Sequence, residues 1–197
     1  AVLEVSRHAN KLRPGHVRAN RFALVVRGGD PGRARAAAAA LRDRGLPNFF
    51  GPQRFGTEGR NAEIGRAILR GEGGPEARRA ARDRFVRRLS LSAYQAALFN
   101  RWLAARMDDG LFAAALAGDV MKKLDTGGLF TCEDPAADGP RVARFEISPT
   151  GPMFGHKLRP AAGEALAREA RILAAEGMTL PDFARGGGET EGTRRAA

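Results

Sequence analysis

Few side chains in this 197-residue sequence could act as nucleophile, general base or metal ligand, and none has the neighbours such chemistry needs. His8, His16 and His156 have no partner at ligand spacing, and one cysteine, Cys132, cannot build a zinc site. No metal is therefore expected. No serine lies in a Gly-x-Ser-x-Gly elbow. Asp108 and Asp109 stand beside Gly110 and read as the end of a helix, not as a paired acid and base. The histidines read as surface or RNA-contact residues. Cys132 reads as a small buried hydrophobe, and a lone cysteine suits a reducing cytosol.

What the side chains do offer is positive charge. The net charge is +11, and it is unevenly spread. Residues 1–60 hold 12 basic and 4 acidic side chains, residues 61–100 hold 8 and 4, and residues 101–197 hold 13 and 14. A basic first half predicts a polyanionic partner, because each phosphate neutralised by Arg or Lys releases condensed counterions. Only four of the 33 basic residues are lysines. Arginine's planar fork suits bidentate phosphate contacts, although a codon bias toward Arg, Ala and Gly accounts for part of that preference. No apolar run reaches the roughly 18 residues that a membrane span needs, and no secretory signal opens the sequence.

The elements that must position this charge can be read from pattern. Residues 2–5 form a short expected strand, and the apolar run 22–26 reads as a buried one. Asp30 and Pro31 start a helix that runs to about Arg44, with Gly45 placed to end it. Together they suggest an α/β layer. Residues 46–56 combine two prolines, two glycines and three phenylalanines in a rigid loop anchored by its rings. Helical spacing returns over 61–70 (Ile64, Ala67, Ile68) and over 76–88, where six arginines leave at least one face strongly basic. Ser90 or Ser92 is the expected cap of the clearest helix. Its Leu91, Tyr94, Leu98 and Trp102, widened by Phe99 and Leu103, read as core. A short helix is expected at 111–117, strands at 128–131 and 141–147 around a polar loop 133–140, and a turn at 149–152. Pro160 opens a last helix that buries Leu166, Ala170 and Leu173 and closes at Gly177. The glycines at 186–188 and the Arg/Ala end suggest a flexible exit.

Four stretches, taken in order, carry a resemblance. They are Asn20-Arg21-Phe22; Gly45-Leu46-Pro47-Asn48-Phe49-Phe50-Gly51-Pro52-Gln53-Arg54-Phe55-Gly56; Ser92-Ala93-Tyr94-Gln95-Ala96-Ala97-Leu98-Phe99-Asn100; and Pro149-Thr150-Gly151-Pro152-Met153-Phe154-Gly155. The sequence resembles the TruD family of pseudouridine synthases, and Gly192-Thr193-Arg194-Arg195 is similar to a family segment near the end of its inserted domain.

The resemblance implies an α+β fold with α/β layers. Part of a catalytic domain with a mixed sheet would occupy residues 1–44, an inserted α/β domain residues 45–190, and a returning segment residues 191–197. It also implies an RNA-modifying isomerase that turns a uridine of tRNA into pseudouridine without metal or organic cofactor, acting in the cytoplasm as a monomer. Asn20 and Phe22 match the family's pair at the base. Lys11, Arg13, Arg21 and Arg54 are the expected RNA contacts. The family's essential aspartate lies in a Gly-x-(Lys)-Asp type motif ahead of this region, and no such motif occurs among the 197 residues. The chain is therefore expected to be inactive alone; the alternative is a tRNA-binding module without catalysis.

Overall fold

Pro31 surrenders a backbone donor that a first helical turn does not use, and Asp30 before it can accept one that the turn leaves over. Both happen in the computed structural model of the chain, which describes Val5, Arg7 and residues 21–197. The N–H of Arg33 donates to Asp30 Oδ1 at 2.7 Å, and helix α1 spans Pro31–Arg44. It ends at Gly45, whose φ is +83°. The chain divides into two units, residues 1–39 and residues 40–197.

In the first unit the expected buried strand does not form. Residues 21–27 have no regular structure, and Phe22, Leu24, Val25 and Val26 are each exposed by more than three quarters. A strand needs a hydrogen-bonded neighbour, and this run has none among the described residues. The helix α1 likewise buries no side chain. The strand expected at residues 2–5 lies outside the described residues apart from Val5.

The second unit is α+β, as expected. Its helices are α2 (Arg60–Arg70), α3 (Pro75–Arg82), α4 (Arg84–Asp108), α5 (Pro135–Ala143) and α6 (Gly163–Ala175). Strands β1 (Val120–Lys123), β2 (Leu129–Thr131), β3 (Ile147–Met153) and β4 (Thr193–Ala196) make one antiparallel sheet in the order β2-β1-β3-β4.

The core is the α4 stripe. Leu91, Leu98, Phe99 and Leu103 are wholly buried, and Tyr94 and Trp102 nearly so. On one side Leu69, Phe154, Leu173, Met178 and Phe183 close around Leu91, Tyr94 and Leu98. On the other, Met153 packs with Phe99 and Trp102. Helix α2 crosses α4 so closely that a Cβ on Gly65 would stand 2.1 Å from the Ser90 carbonyl oxygen.

Several boundaries differ from the sequence reading. Neither serine caps α4: Asp83 does, accepting from the N–H groups of Phe85 and Val86 at 2.9 and 3.0 Å. The arginine-rich helix of 76–88 is thus broken at Asp83, and Ser90 is buried inside α4. No helix forms at 111–117. The Arg106 guanidinium takes the carbonyls of Leu111 and Ala114 at 2.9 and 2.7 Å and holds Asp119 through two bonds of 2.9 and 2.6 Å. Those carbonyls are thereby withdrawn from helical bonding. The expected loop 133–140 is mostly α5, capped by Asp134. Helix α6 buries Ala165, Glu169 and Leu173, while Leu166 and Ala170 face outward. The expected turn at 149–152 lies inside β3, and the expected flexible exit is a 3-10 segment, Leu180–Thr190, followed by β4.

Candidate nucleic-acid interface

The loop of residues 46–51 cannot hold itself, since Pro47 and Pro52 remove donors and the glycines add no packing. It is held from two sides. From α4, Asn100 answers both backbone groups of Phe50: Oδ1 accepts from the N–H and Nδ2 donates to the carbonyl, each at 2.9 Å. From β4, Arg195 donates to Asn48 Oδ1 at 2.6 Å and to the Asn48 carbonyl at 3.2 Å, while Asn48 Nδ2 donates to the Ala196 carbonyl. The Phe50 ring meets Phe99 edge-on, with centroids 5.7 Å apart. Phe50 and Phe55 both pack against the Phe99 cluster, as anchors should, whereas Phe49 stays 42% exposed.

Two cations flank that ring. The Arg195 guanidinium lies 4.0 Å from the Phe50 centroid and the Arg54 guanidinium 5.5 Å from it. A cation over an aromatic face is favourable by about 0.5–1 kcal/mol at an exposed site and more when desolvated, but it leaves the charge unneutralised. Neither arginine is in an ion pair among the described residues. The buried Nε of Arg54 also has no hydrogen-bond partner there. Burial, and then the neighbouring Arg54 charge, push the Arg195 pKa below its ordinary value. Two like charges so placed without a carboxylate repel each other, and an anion beside them would relieve that repulsion. Beside them an open recess is lined by Gly51, Gln53, Arg54 and Leu89.

The other polar residues of the four stretches and their surroundings have internal duties. Gln95 Nε2 donates to the Phe154 carbonyl at 2.6 Å. The Tyr94 hydroxyl donates to Glu176 at 3.3 Å, and burial raises its pKa. Cys132 is buried, with its thiol pushed up to about 12 by burial and then by Asp138, so it is not a nucleophile near neutral pH. His156 bonds the Thr190 carbonyl through Nδ1 at 3.0 Å and is half-buried. Among the described residues no group of three or more His, Cys, Asp or Glu side chains could hold a metal.

The loop, α4 and β4 therefore bring together three of the segments singled out above: residues 46–56, 92–100 and 192–195. The family model for tRNA pseudouridine synthase D (TruD) matches residues 1–79 and 76–197. The chain belongs to the TruD family. A tRNA pseudouridine synthase D of Anaeromyxobacter sp. (strain Fw109-5) is 82% identical over 196 residues, covering 100% of this chain and 56% of that protein. One of Thermus thermophilus is 41% identical over 187 residues, covering 92% and 50%. One of Geotalea daltonii is 37% identical over 256 residues, covering 98% and 64%. The chain thus spans about half the length of the first two of these relatives. A crystal structure bearing the TruD name, from Methanosarcina mazei, shares the fold with a TM-score of 0.64 at 20% identity, over 85% of this chain and 56% of that one.

Of the site residues that the TruD resemblance implies, the structure describes Arg21, Phe22 and Arg54. Lys11, Arg13 and Asn20 lie outside the described residues. Arg21 and Phe22 belong to the first unit and are exposed; Phe22 is 77% exposed there. Arg54 belongs to the second unit and flanks Phe50. The residue that sequence reasoning missed is Arg195. Its side chain could not be placed from a stretch read as a flexible exit; once residues 193–196 pair as β4, alternate side chains face opposite ways and the two arginines part. Arg194 is fully enclosed against Glu169, and Arg195 turns to the loop.

Proposed function

We propose that this chain is part of an RNA-modifying isomerase that converts a uridine of tRNA to pseudouridine. In that reaction the bond from the sugar C1′ to uracil N1 is replaced by one from C1′ to C5. The proton on C5 leaves and N1 gains one, so no oxidant, reductant or cofactor is required for balance. Residues 1–44 are assigned to the catalytic domain, 45–190 to the inserted domain and 191–197 to the return segment. Asn20 is assigned to the uracil edge, where an amide can both donate and accept. Phe22 is assigned to the face of a base withdrawn from its stack. Lys11, Arg13 and Arg21 are assigned to the RNA backbone. A cytoplasmic, metal-free monomer is consistent with this reading, and no helix among the described residues is long and apolar enough to cross a membrane.

The observation that carries the RNA reading in this chain is the pair Arg54 and Arg195 around Phe50. Each would hold a backbone phosphate oxygen, and one phosphate between them would relieve their repulsion. The test is binding of unmodified tRNA to the 197-residue chain across a salt series. Arg54→Ala should weaken binding and reduce the slope of log K against log salt by about one. An unchanged slope in Arg54→Ala and in Arg195→Gln would remove the phosphate assignment.

A non-catalytic binding module is the second reading. It is favoured by one observation, the absence of the family's Asp-bearing motif from these residues.

A further inference from the structure

The corner between α3 and α4 carries a second basic surface that the Phe50 site does not use. Helix α3 is fastened by the buried Ala77 and Ala80, and at Asp83 the backbone turns extended before α4 begins. That geometry leaves Arg78, Arg79, Arg82, Arg84 and Arg88 exposed. Phe85 stands among them, 75% exposed.

The nearby carboxylates are engaged elsewhere: Glu72 with Arg70, Glu76 with Arg60, and Asp83 with the start of α4. Arg87 turns away to Glu189 and the Arg185 carbonyl. None of the five exposed arginines has a carboxylate partner among the described residues.

We propose that this corner binds unpaired RNA, with one base stacked on Phe85 and the flanking phosphates held by Arg82, Arg84 and Arg88. The proposal rests on the RNA-binding reading above. An aromatic ring set among arginines matches the two faces of a single-stranded nucleotide, a flat base and a charged phosphate. Duplex RNA does not fit: its bases are stacked on one another and its deep groove is too narrow for a side chain. A lipid surface would take the arginines and bury the Phe85 ring instead of stacking on it, so binding of wild type but not of Phe85→Ala to anionic phospholipid vesicles, without oligouridine binding, overturns the proposal. Phe85 projects from the first turn of α4, beside Arg84, with Arg88 one turn later. Bases and phosphates can therefore be engaged by one short strand.

The test uses a twelve-nucleotide oligouridine, a duplex RNA of the same length and unmodified tRNA as probes of the 197-residue chain. Oligouridine should bind, and Phe85→Ala should weaken it roughly 5- to 100-fold. R82Q/R84Q/R88Q should reduce the salt slope by about two, since each single-strand phosphate contributes about 0.7. In Phe85→Trp the introduced indole should be quenched by oligouridine and not by the duplex, a readout that a purely structural Phe85 would not give. Equal oligouridine affinity in wild type and Phe85→Ala, or equal quenching by the duplex, overturns the proposal. So does self-association of the wild type that Phe85→Ala abolishes, which would make the corner a protein contact. If Arg54→Ala weakens tRNA while Phe85→Ala changes neither RNA, only the corner fails. If no RNA binds the wild type, both readings fail.

Discussion

Arg194 and Arg195 are neighbours in sequence and opposites in surroundings. The Arg194 side chain is 0% exposed and donates to Glu169 from Nη1 and Nη2, while its Nε and Nη2 also donate to the Arg159 carbonyl. Burial raises the Glu169 pKa and Arg194 lowers it, and burial is the larger influence. The pair therefore gives up much of its attraction to desolvation, which is the general fate of buried ion pairs. Removing one partner is a different matter, because it strands a charge. Glu169→Gln is expected to destabilise the chain by about 3–5 kcal/mol in urea unfolding, and the apolar pair E169M/R194M to recover most of the loss. A loss below about 1 kcal/mol in Glu169→Gln would mean that solvent reaches Arg194. At this scale the sequence was only partly legible. The Phe-rich loop announced its anchors through composition, and Phe50 and Phe55 are those anchors. Nothing in a helical pattern reveals that Glu169 meets a buried arginine 25 positions later.

Elements were legible where their signals are local. Asp30-Pro31 started α1, Gly177 ended α6, and the 3-and-4 spacing marked the buried face of α4. They were misread where tertiary partners decide. The Pro149–Pro152 stretch looks like a turn, yet β1 pairs only with residues 147–149 of β3 and β4 only with residues 150–153. Each half of β3 has one principal neighbour, so each proline's missing donor falls beyond the paired stretch it would have served. Gly151, between them, belongs to packing rather than turning. A Cβ there would stand 2.3 Å from the Trp102 ring and 2.8 Å from Phe99. Gly151→Ala must push β3 away from α4 or force both rings off their rotamers, an overpacking cost of about 1–3 kcal/mol. Thermal unfolding should show it as a clear fall in Tm. An unchanged Tm would show that β3 can slide outward freely, and the α4–β3 contact would lose its place as the centre of the unit.

For the whole molecule, the charge asymmetry and the missing carboxylate point to one behaviour. Both basic surfaces, around Phe50 and at the α3–α4 corner, lie in residues 40–197, while the residues assigned to the base lie in the other unit. The corner's arginines and Arg54 all precede residue 100, within the excess that the sequence alone displays; Arg195 joins them only because β4 pairs with β3. Phosphate contact needs only such arginines, whereas isomerisation needs a group that can break and remake a glycosidic bond. The Asp-bearing motif that the TruD resemblance implies for this step is not among the 197 residues, and among the described residues the buried acids are committed: Asp119 to Arg106, Asp138 to Arg141, Glu169 to Arg194. The 197-residue chain should therefore bind tRNA with a steep salt dependence and release no tritium from tRNA labelled at uridine C5. Measurable release would sink the missing-aspartate inference and direct attention to Asp30, the exposed helix-capping carboxylate of the first unit. Binding that survives molar salt would count against phosphate contact itself, since surface charges are screened within about 3 Å there.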